Sequence, residues 1–375
     1  MKTKVLASCS LAVALASASF GQIAIDGVLD AAYGNPKVAQ SVPTQFGNAP
    51  GGLNGWADGS ELDGAWIKVD ADAGFLYLFF SGNLQSNFNK LEVFIDTVPG
   101  EGQNILRDNN PEVDFAALDR LGEDTANGIL GLKFDEGFAP DFFLTTTIGD
   151  TSGEGTACTQ FANIAQLLTL GAGVGAYIGN GLFADPIAGS NLLDDQVYGC
   201  QLSINNSNAG GVGGLGDEGA SEDGCGVTTG IEMKIPLVLT GWDGTAPIKV
   251  CAFINGQGHD YASNQFLSPL PAATGNLGGD GLGGYIGGSR AALRIDLATI
   301  AGDQFFSSDG PDACQGGGGG GCAGDLDASG TVDAGDIGSL LLLFGSSDAA
   351  GDLDASGTVD AGDIGSLLLL FGDCD

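Results

Sequence analysis

The chain has 375 residues, with 47 Asp plus Glu against 12 Lys plus Arg, a formal charge of −35. Such an excess of carboxylate excludes a phosphate-neutralising grip on nucleic acid and repels anionic membranes, and 43% hydrophobic residues exclude a chain disordered throughout. What this much carboxylate favours is solubility and cation binding.

Residues 1–21 read as an export signal. Lys2 and Lys4 open it, and an apolar, small-residue run from Val5 to Phe20 follows, too short to span a bilayer. Cleavage is expected after Ala18 or Gly21, and a secreted, extracellular or cell-surface location follows from it. No other stretch approaches 18 apolar residues, so no membrane span is expected.

Residues 22–300 read mostly as strands. Ala65 to Asp70 alternates with period two, Phe75 to Phe80 is a continuous apolar run, and Leu91 to Ile95 follows. Phe142 to Ile148, Ile231 to Ile235, Ile248 to Ile254 and Leu293 to Leu297 continue the pattern. Helical periodicity is confined to Phe115–Leu121 and Phe161–Leu170. Strands separated by Gly, Asn and Asp clusters predict a large antiparallel β-sandwich with long loops, and glycine-rich 208–224 and 275–289 as surface loops. Two GxGxxG matches, 211–216 and 279–284, fall in these insertions and follow from the glycine content alone; neither joins a strand to a helix.

The segments Ile25-Asp26-Gly27-Val28-Leu29-Asp30-Ala31-Ala32-Tyr33, Leu76-Tyr77-Leu78 and Gly230 to Leu237 resemble those of family 9 carbohydrate-binding modules. The resemblance implies a sandwich fold and a sugar held by tryptophans. The candidates are Trp56, Trp66 and Trp242, with Trp66 on the strand face of Lys68 and Asp70 and so expected to be exposed. Asp70, Asp72, Asp96 and Glu101 read as solvated turn carboxylates rather than a further cation site. His259 is the single histidine, which excludes a multi-histidine zinc site, and it reads as an ordinary loop residue. No nucleophile elbow is present.

Six glycines, 316–321, mark a flexible linker over residues 301–323. Of eight cysteines, Cys9 leaves with the signal. Export permits disulfides. Cys322 and Cys374 flank the C-terminal unit and could clasp it, while Cys158 with Cys200 and Cys225 with Cys251 are candidate pairs that leave Cys314 over.

Residues 324–375 hold the strongest pattern. GDLDASGTVDAGDIGSLLLLF runs from Gly324 to Phe344 and recurs letter for letter from Gly351 to Phe371. Each copy carries a twelve-residue calcium-loop pattern. Oxygen donors stand at positions 1, 3, 5, 9 and 12: Asp325, Asp327, Ser329, Asp333 and Asp336, then Asp352, Asp354, Ser356, Asp360 and Asp363. Gly330 and Gly357 take the sharp turn at position 6, and Thr331 and Thr358 offer backbone carbonyls at position 7. No Lys or Arg follows Gly324, so the carboxylates would repel one another without a cation, and ordering is expected to depend on Ca2+, one ion per loop.

This duplicated loop, each followed by a leucine-rich helix and with Asp at position 12, resembles the dockerin family. The resemblance implies a small all-α calcium-binding unit that docks on a cohesin-like protein partner. Ala334-Gly335 and Ala361-Gly362 depart from it, standing where dockerins carry partner-recognising hydroxyls. The expectation for the whole is a secreted calcium-binding protein whose tether attaches a non-catalytic, carbohydrate-binding sandwich to a partner or surface. A polysaccharide-degrading enzyme with the same tether, and a structural surface protein, are the alternatives.

Overall fold

The computed structural model describes residues 23–46, 60–126, 128–151, 158–183, 191–207, 224–272, 274–279, 285–286, 289–290, 295–314, 324, 326, 331–346, 351, 353–354 and 356–373. The signal segment, Trp56, both GxGxxG matches in whole or part, and Cys322 and Cys374 lie outside them.

The fold is mainly β. The strands, in chain order, are β1 (Val38–Ala39), β2 (Glu61–Asp70), β3 (Phe75–Asn83), β4 (Asn87–Asp96), β5 (Phe142–Asp150), β6 (Cys158–Gln166), β7 (Gly175–Phe183), β8 (Leu193–Asp194), β9 (Gln201–Ile204), β10 (Gly230–Pro236), β11 (Lys249–Asn255), β12 (Tyr261–Leu267), β13 (Gly278–Gly279), β14 (Tyr285–Ile286), β15 (Ser289–Arg290), β16 (Phe306–Ser307), β17 (Thr331–Val332) and β18 (Gly372–Asp373). The helices are α1 (Ala117–Leu121), α2 (Leu237–Thr240), α3 (Ala334–Leu343) and α4 (Ala361–Leu369). Sheet one has the order β1-β2-β3-β10-β9-β8, and sheet two β13-β12-β11-β4-β5-β6-β7, with β16 also on β11; every ladder is antiparallel.

The period-two alternation explains the layers. Leu76, Leu78 and Phe80 of β3 and Leu91, Val93 and Ile95 of β4 belong to one buried cluster between the sheets. On sheet two the intervening Phe94, Phe143, Phe253 and Phe266 face the opposite way. They pack under Leu106, Leu118, Leu121, Leu132 and Phe134 of the long 97–141 connection. β4 is therefore buried on both faces, its outward-facing positions including the buried charges Lys90 and Glu92 as well as Phe94.

Several expectations about the fold need correction. Phe161–Leu170 is not a helix: β6 occupies Cys158–Gln166, because alternating Ala162 and Ile164 enter the core while β5 and β7 complete its ladders. Leu297 begins a 3-10 turn (Leu297–Thr299) instead of closing a strand, with Asp296 bridged to Lys133. Trp66 lies on the outer face of sheet one as expected but is 1% exposed, because the N-terminal segment covers it with Tyr33 and Gly34 accepts its indole N–H at 3.1 Å. Trp242 is half-buried against the inter-sheet core.

A further correction concerns the cysteines. Cys225 is bonded to Cys314, not to Cys251. Cys251 points from β11 into the outer layer of sheet two, so the sheet stands between it and Cys225, whose 3-10 turn contacts β2 of sheet one. Cys158 and Cys200 are buried free thiols, and burial pushes both up to about 12. The disulfide and the pairing of Phe306 with Val250 carry the packed region past Ile300, so residues 301–314, expected in the linker, belong to the sandwich. Among the described residues no helix is long and apolar enough to cross a membrane.

Candidate metal centre and a buried charged cluster

The second loop is the better described. Asp354, Asp360 and Asp363 bring one carboxylate oxygen each within 4.8 Å of one another. Ser356 Oγ donates to the Thr358 carbonyl at 3.1 Å, which sets the position 5 and position 7 oxygens side by side. A set of carboxylate, hydroxyl and carbonyl oxygens in an irregular loop is the donor chemistry a hard cation such as Ca2+ takes. Asp352 lies outside the described residues, as do Asp325, Asp327, Ser329 and Gly330 of the first loop. Asp333 and Asp336 are described, and Thr331 opens β17.

Both loops end in the same device. Asp360 caps α4 by accepting from Gly362 N at 2.7 Å, and Asp363 reaches back to accept from Asp360 N at 2.7 Å. Asp333 and Asp336 do the same for α3 at 2.7 Å and 2.7 Å. These capping boxes satisfy helix N-termini and place carboxylates where the helix dipole favours them. The Asp360 amide holds the Asp363 carboxyl below its usual range. Gly362 faces this cluster: a Cβ there would collide with the Asp354 carboxylate and push it aside.

The two copies engage reciprocally. Val332 pairs with Gly372 just past the second helix, while the Val359 carbonyl accepts from Gly345 and its amide donates to Ser346, just past the first. Gly324 packs against Leu367 and Leu370, and Gly351 against Leu343. Val332, Leu340, Val359 and Leu367 form the shared core. The same register leaves the same side chains outside. Leu342 and Leu369 are each 88% exposed, and Leu341, Phe344, Leu368 and Phe371 are about half exposed.

The sequence reading missed a second cluster. His259, expected to be an ordinary loop residue, is 1% exposed. Its Nδ1 lies 2.6 Å from Glu92 Oε1 and its Nε2 3.2 Å from Asp114 Oδ2. Lys90 Nζ contacts the same Asp114 oxygen at 2.9 Å, and Asn255 Nδ2 donates to Glu92 at 3.1 Å. Burial disfavours the imidazolium, but Glu92 and then Asp114 outweigh it, so His259 is raised above its ordinary value. Burial likewise opposes the charge on Asp114, and His259 and Lys90 together bring its carboxyl down to about 2. The ion pairs join the 113–121 segment to β4 and the β11–β12 turn, and Arg120 adds a bond to the Gly258 carbonyl at 2.7 Å. Positive φ at Phe88, Asp114, Phe115, Ala116 and His259 gathers around this cluster, and non-glycine residues hold such angles only where the surroundings impose them. The available signal was Lys90 and Glu92, two opposite charges at alternate positions and so on one face of a strand.

Comparison with protein-family models, with curated proteins and with solved structures finds no match to this chain.

Proposed function

We propose that the chain is a secreted, non-catalytic binding protein. Its duplicated C-terminal unit takes two calcium ions and docks on a cohesin-like protein partner, carrying with it a β-sandwich that binds carbohydrate. The observation that supports docking most directly is the pair of equivalent apolar helix faces, with Leu342 and Leu369 each 88% exposed in identical sequence settings. A unit whose described core is four buried side chains gains nothing in stability from leaving these leucines and phenylalanines in water. Calcium acts as the fold's organiser: it neutralises the loop carboxylates, and the capped helices that follow then present their outer faces.

The test is binding of the full secreted chain to a panel of immobilised cohesin modules, with calcium and with excess EGTA. Capture in calcium and release in EGTA is the expected result. Because the two faces are equivalent, Leu342→Asp or Leu369→Asp alone is expected to leave binding largely intact, and the double variant to abolish it. Capture that ignores both EGTA and the double variant would contradict the proposal.

A further inference from the structure

The outer face of sheet two is covered only in part. The 97–141 connection lies over Phe94, Phe143 and Phe253 and leaves a groove of about 450 Å³ beside it, over β4 to β7. We infer that this groove binds a neutral sugar chain. The inference rests on the reading of the sandwich as a carbohydrate-binding part and is independent of the calcium loops.

Strand register builds the groove. Lys90, Thr147 and Phe161 stand opposite one another on β4, β5 and β6, and Thr145, Asn163 and Tyr177 form the next row on β5, β6 and β7. Phe88 and Phe115 complete the wall. Phe115 is 88% exposed and Tyr177 53%, so two large rings face water at a concave site. Phe88 has φ 68° at a bulge in β4, and its ring packs against Gly149, where a Cβ would collide with it. Asp114 and Phe115 also have positive φ. Backbone strain is thus spent on placing aromatic rings and one carboxylate around an open groove.

The floor offers hydrogen bonds. Asn163 is 5% exposed and lines the groove, and its amide has no hydrogen-bond partner among the described residues. Beside it, Thr145 Oγ1 and Glu92 Oε2 are buried without a partner. Unspent donors and acceptors of this kind are costly unless water or a ligand completes them.

These features narrow the chemistry. An anion finds no free cation, because Lys90 is engaged by Asp114 and the chain is strongly acidic. For a metal, the one carboxylate lining the groove is Asp114, already shared by Lys90 and His259, and Glu92 behind it is held by His259 and Asn255. A cation meets Lys90, and a wholly apolar ligand strands Asn163. A sugar ring uses both halves of the site, its C–H face against the aromatic rings and its hydroxyls on the amide and carboxylate. The volume falls in the range of sites for small organic ligands.

The test uses the full chain in affinity electrophoresis with soluble xylan, mixed-linkage β-glucan and polygalacturonate, and in pull-down on cellulose, each with and without EGTA. Retardation or pull-down by at least one neutral polymer, unchanged by EGTA, is expected, with none by polygalacturonate. Tyr177→Ala and Phe115→Ala, both at exposed positions, are each expected to weaken that binding about tenfold, and Asn163→Ala likewise, with unchanged unfolding midpoints for the two ring variants. Binding to a neutral polymer that survives all three variants overturns this groove but not the carbohydrate reading. Failure to bind any of the neutral polymers, or binding to polygalacturonate alone, overturns both.

Discussion

Glu232 shows what a single buried carboxylate does to this molecule. On β10 it accepts from the amides of Asp26 and Gly27 at 2.9 Å and 3.0 Å and from the Tyr33 hydroxyl at 2.9 Å. Burial, the largest influence, raises it to about 7 in spite of these donors. The folded state therefore holds the proton more tightly than the unfolded state between about pH 4.5 and 7, and stability falls as pH rises through that window. A shift of that size corresponds to a loss on the order of 3 kcal/mol. Asp141, raised to about 6 mainly by burial, acts with the same sign. So does His259, whose raised value gives stability below its unfolded pKa that is lost as pH rises through the folded one. Tryptophan fluorescence, which reports only the sandwich because no Trp follows Trp242, is expected to give a higher unfolding midpoint at pH 5 than at pH 7.5. Glu232→Gln keeps the shape and the tyrosine contact and is expected to shrink that difference; an unaltered difference would place its source elsewhere. His259→Ala leaves Glu92 and Asp114 without their shared cation and is expected to cost about 3 kcal/mol or more in denaturant unfolding. Sequence alone placed Trp66 on the correct face but not under Tyr33, and it read His259 as an ordinary loop residue. Both errors have one cause: a side chain's cover comes from residues distant in the chain, and alternation says nothing about them.

Elements were more legible. Every strand expected from alternation between Ala65 and Ile254 is present, because a two-sheet core imposes period two on its inner faces. The segment Phe161–Leu170 misled because Phe161, Ile164 and Leu168 also fit a helical spacing, and only the neighbouring strands decide between the two. Cysteine pairing was illegible for a related reason, since which face of a sheet a thiol leaves by depends on the register of its partners. The acidic cluster of the second loop, Asp354, Asp360 and Asp363, was readable because the spacing that gathers it is local. The structure adds what one glycine of the second loop does. Gly362→Ala puts a methyl against Asp354 and is expected to weaken the second calcium site about tenfold while leaving the first unchanged, as isothermal titration would show. An effect on neither site would mean that Asp354 does not approach α4 in the loaded loop.

Across the whole molecule, two different devices hold the parts in order. The sandwich relies on apolar burial between its sheets, on a second layer over sheet two, and on the Cys225–Cys314 bond, which spans 89 residues and fastens the end of the packed region to the edge of sheet one. Closing so long a segment restricts the unfolded chain, so Cys314→Ser is expected to lower sandwich stability by about 2–4 kcal/mol in denaturant unfolding. Among the described residues the repeat unit has four fully buried apolar side chains, and its sequence carries a dense set of carboxylates, so its order is expected to come from cations rather than from burial. The measurement that decides this is calcium titration of the full, calcium-stripped chain by calorimetry, with far-ultraviolet circular dichroism before and after. Two equivalents of calcium and a gain of helical signal are expected, falling to one equivalent in Asp354→Ala/Asp360→Ala. Absence of heat with an unchanged spectrum at millimolar calcium would contradict the account.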